Sequence, residues 1–102
     1  MISTKKVLDS LVAKGLASSW QMKKYDDHSS PAVQSDKLFI SNETYGKRSF
    51  LYFYCQTPEI AKELCQALRE AGGEPGLNWN GGIPKGCVEL QVSYFKGWHH
   101  WE

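Results

Sequence analysis

The chain has 102 residues, 41% of them hydrophobic, and a formal net charge of +1. That length predicts one domain, 1–102, around one core, and the near-neutral balance excludes the strongly basic class of dedicated DNA binders. Four tryptophans (Trp20, Trp79, Trp98 and Trp101) within an aromatic content of 13% exceed what so small a core needs, so some ring surface is expected to meet solvent or a partner.

Residues 3–16 predict a helix. Val7, Leu8, Leu11 and Val12 recur at helical spacing, with Lys5, Lys6, Asp9 and Lys14 outside that stripe. Ser3 or Thr4 supplies a cap. Gly15 followed by Leu16 reads as a C-terminal stop with its hydrophobic contact. Residues 17–36 are polar and read as a long, mobile loop, pinned at Trp20, Met22 and Tyr25 and holding at most a short helix over 19–25.

Residues 37–42 predict a strand, with Leu38 and Ile40 on one face and Phe39 on the other. Residues 42–47 have turn chemistry, with Gly46 free to take positive φ. They join that strand to a second one over 50–55, where Phe50, Tyr52 and Tyr54 share one face and Leu51, Phe53 and Cys55 the other. Thr57 then caps a helix that starts at Pro58, where a missing N–H costs nothing. Ile60, Ala61, Leu64, Cys65, Leu68 and Ala71 form its apolar stripe, and Gly72 stops it.

The end of the chain is rich in turn signals. Gly72-Gly73-Glu74-Pro75-Gly76 precedes a brief strand at 77–79, and residues 80–86 form a second glycine-rich turn. Residues 87–95 alternate best of all: Val88, Leu90, Val92 and Tyr94 face one side, Glu89, Gln91 and Ser93 the other. The order is therefore α-β-β-α-β-β. It predicts an α+β fold, a small four-stranded mainly antiparallel sheet with two helices packed on one face.

Several motifs carry candidate chemistry. Arg48-Ser49-Phe50-Leu51-Tyr52-Phe53-Tyr54-Cys55 resembles the second consensus strand of RNA-recognition domains, a basic residue followed by alternating aromatics. Leu38-Phe39-Ile40-Ser41-Asn42 resembles their first. That resemblance implies bases stacked on Phe50, Tyr52 and Tyr54, with Lys47 and Arg48 on phosphates. The chain departs from the family at Ser49, Leu51 and Cys55. It also lacks the helix and strand that the family inserts between the two motifs, so it is not assigned to it.

Cys55, Cys65 and Cys87 each sit within an apolar element and read as buried thiols, which suits a reducing compartment. The N-terminus lacks the apolar stretch of a signal peptide, and no apolar run reaches membrane-spanning length. The expected setting is cytoplasmic, with no membrane contact. His28, His99, His100 and the cysteines show no recognised metal-ligand spacing, so no metal and no cofactor are expected.

These observations predict a non-enzymatic binding or protein-interaction module. Its site would comprise Phe50, Tyr52, Tyr54, Trp79, Trp98, His99 and Trp101, whose rings bury large areas on contact. The expected partner is a second copy in a homodimer or another protein, a small apolar or aromatic ligand being a further option. Two alternatives remain: a single-stranded RNA or DNA binder, and a small cysteine- or histidine-dependent enzyme with His99 or His100 close to Cys87, Glu89 or Asp27.

Overall fold

The computed structural model describes residues 2–24, 29–45, 48–77 and 87–92. The described elements are α1 (Thr4–Ala13), β1 (Ser19–Lys24), β2 (Ser29–Gln34), β3 (Leu38–Tyr45), β4 (Arg48–Cys55), α2 (Pro58–Glu70), β5 (Gly76–Leu77) and β6 (Cys87–Val92). The architecture is α+β, with two helices and two small antiparallel sheets. One sheet is the hairpin β1–β2, and the other has the order β3-β4-β6-β5.

Both helices end as their sequences predict. In α1 the Ser3 hydroxyl accepts from the Lys6 N–H at 3.2 Å, and in α2 the Thr57 hydroxyl accepts from the Ile60 N–H at 3.2 Å. Gly15 has φ +74°, which lets Leu16 N–H reach back to the Leu11 carbonyl at 2.9 Å. Gly72 repeats the device with φ +98° and Gly73 N–H on the Leu68 carbonyl at 2.8 Å. Two carbonyls at each helix end are satisfied this way.

The core lies between α2, α1 and the inward face of the larger sheet. Val7, Leu8 and Leu11 meet Leu51, Phe53, Leu64, Leu68, Val88, Leu90 and Val92 in one buried cluster. α2 lies across β4 and β6, while α1 packs on α2 and against β1. An exposed Lys14–Glu70 ion pair of 2.6 Å joins the helices, where solvent screening leaves it a minor contribution. Val12, expected in the apolar stripe of α1, is instead partly exposed. It lies at the edge of that stripe, and buried Thr4 takes a place on the inner side.

The largest correction falls on residues 17–36. Residues 19–24 and 29–34 are strands and not a loop or a helix: β1 and β2 pair antiparallel from Ser19↔Gln34 to Lys24↔Ser29, and Tyr25 lies outside the described residues. The strands are therefore divided between two sheets: the four expected from the sequence fall in the larger one, and the hairpin adds a second. Trp20 and Val33, cross-strand partners, pack on the core, while Gln21 and Lys23 face water. Trp20 Nε1–H also donates to Asp9 Oδ1 at 2.9 Å, joining the hairpin to α1. Ser35 holds the other end. Its hydroxyl donates to the Leu16 carbonyl at 2.7 Å and accepts from the N–H of Lys37 and of Leu38 at 3.0 and 3.3 Å.

The strand limits shift as well. β3 continues to Tyr45 and β4 begins at Arg48, so Asn42–Tyr45 belong to a strand and not to a turn. Pairing with β4 satisfies backbone groups that the turn reading left to solvent. β5 covers 76–77 where 77–79 was expected; Asn78 and Trp79, and 93–95 of the last predicted strand, lie outside the described residues.

Ser35→Ala should lower unfolding stability by about 1–3 kcal/mol, since it strips partners from three backbone groups. Phe53→Ala should cost about 3–5 kcal/mol. Urea titration of both variants checks these values. A near-neutral Ser35→Ala would show that the β2–β3 connection does not depend on that hydroxyl.

Candidate binding surface

β4 is the central strand of the larger sheet, with β3 on one side and β6 on the other. Its side chains alternate strictly. Ser49, Leu51, Phe53 and Cys55 are buried, whereas Phe50, Tyr52 and Tyr54 are half-buried and Arg48 is exposed. Because neighbouring strands share the pleat, the register identifies what surrounds each outward residue. Phe39 stands opposite Tyr54, Ser41 opposite Tyr52 and Glu43 opposite Phe50 on β3. Cys87, Glu89 and Gln91 stand opposite Tyr54, Tyr52 and Phe50 on β6.

This outward face carries two ring pairs. Phe39 and Tyr54 stack with centroids 4.7 Å apart and planes 11° from parallel. Phe50 and Tyr52 lie at 6.4 Å and 32°. Phe39 remains 62% exposed, the most exposed large hydrophobic side chain among the described residues. Glu43 and Glu89 sit on opposite flanks of the Phe50–Tyr52 pair, and Arg48 stands at the end of the row.

Phe50, Tyr52 and Tyr54, singled out from the sequence, thus share one surface, with Arg48 of the nucleic-acid alternative at its edge. Trp79, Trp98, His99, Trp101 and Lys47 lie outside the described residues, as do His28 and His100. Three members of the surface were not assigned to the site from sequence: Phe39, Glu43 and Glu89. Glu89 has no local signal; for Phe39 and Glu43 the signal was the short spacing between the two strands, with residues 46 and 47 between them. If those two residues alone separate the strands, residue 39 must oppose residue 54 and residue 43 must oppose residue 50.

The cysteines are free thiols buried at one end of the sheet. Burial pushes the Cys55 thiol up to about 11, and the neighbouring Cys65 and Cys87 add to the shift. Burial likewise raises Cys65 and Cys87. Such thiols are poor nucleophiles near neutral pH. No group of three His, Cys, Asp or Glu among the described residues could hold a metal ion. A groove of about 620 Å³ lies between Gly15–Ser18 and Gln34–Asp36 and is not lined by any of the rings.

Comparison with protein-family models, with curated proteins and with solved structures returns no match.

In the native protein the three thiols should resist an aromatic disulfide reagent at pH 8 and react on unfolding; rapid native labelling would contradict their burial. A raised thiol pKa also makes stability pH-dependent. The neutral thiol of Cys55 is favoured by the fold, so its contribution is complete below the ordinary value of 9.0 and is lost as pH rises toward about 11. Urea midpoints measured across that window should fall, and less so in Cys55→Ala after allowance for its lower starting value.

Proposed function

We propose that this protein is a non-enzymatic interaction module that engages a protein partner, a second copy of itself included, through the outward face of the larger sheet. The observation that carries this reading is the row Phe39, Tyr54, Tyr52 and Phe50. Its rings lie side by side on the face turned away from the core cluster, and Phe39 is largely exposed. Aromatic residues at the centre of a contact supply most of its binding energy. Each contributes a large area for little side-chain entropy.

The sheet supports this role mechanically. β4 is hydrogen-bonded on both sides, and its inward residues Leu51 and Phe53 are fully buried. The outward rings therefore stand on a rigid base, which limits the ordering cost of association. Buried thiols of raised pKa favour a binding role over cysteine-dependent catalysis.

The single-strand nucleic-acid reading uses the same rings. Glu43 and Glu89 on either flank weigh against it, because among the described residues of this face phosphates would meet two carboxylates beside the guanidinium of Arg48.

Sedimentation velocity near ~100 μM should show concentration-dependent association, a range open to interfaces of modest affinity. The Phe39→Ser/Tyr52→Ser variant should remain monomeric there while its melting temperature stays within about 4–8 °C of the wild type, the shift that 1 kcal/mol brings. A wild type that stays monomeric at every concentration would remove self-association. A variant that associates as the wild type does would move the interface off this face.

A further inference from the structure

We draw no further inference here: the strongest candidate, the apolar patch that the stacked Phe39 and Tyr54 rings form on the outward face of the larger sheet, belongs to the surface already described, and nothing in the structure shows what covers it.

Discussion

The two-sided alternation of β4 is the constraint on which the rest of this structure depends. Leu51 and Phe53 reach into the cluster formed with α1, α2 and β6, and both are fully buried. Burying each such side chain contributes about 1.5–3 kcal/mol, which ties the strand to the helices. The pleat then leaves no choice for the residues between. Phe50, Tyr52 and Tyr54 must point the other way, and a slip of one residue would exchange the two sets. The surface read here as functional is thus the obligatory reverse of the core.

The hairpin β1–β2 depends on that core in a different way. Its strands bring few apolar side chains, and an isolated two-stranded hairpin is marginal in water. It is held by Trp20 and Val33 on the cluster, by the Trp20–Asp9 hydrogen bond, and by the Ser35 hydroxyl linking Leu16, Lys37 and Leu38. Lys5 shares Asp9 with Trp20, and both hydrogen bonds hold the carboxyl below its usual range. Ser30 Oγ donates to Asn42 Oδ1 at 3.0 Å, which brings β2 alongside β3. Polar side chains do here what apolar packing does between the helices and the sheet.

Charge on the outward face follows from the same geometry. Neither Glu43 nor Glu89 stands out in the sequence as a neighbour of the rings, since acidic residues on the wet side of a strand are ordinary. Pairing converts them into flanks of one ring pair. The burial of the cysteines follows similarly: Cys55 comes from β4, Cys65 from α2 and Cys87 from β6, and the fold gathers them at one end.

Local sequence determined both helices, their caps and their glycine stops, because these depend on side chains within one turn of each other. It also determined which face of β4 and of β6 is buried, since a period of two is visible in the residues themselves. It did not determine β1 and β2, whose serines, lysines and single proline carry no strong strand preference and become strands by pairing with each other and docking on Leu16 and Asp9. Nor did it determine the membership of the outward face. Phe39 joins Tyr54 and Glu43 joins Phe50 through the register of a hairpin whose length the sequence only suggests, and Glu89 joins Tyr52 through the pairing of β4 with β6, a relation between distant residues that tertiary structure alone supplies.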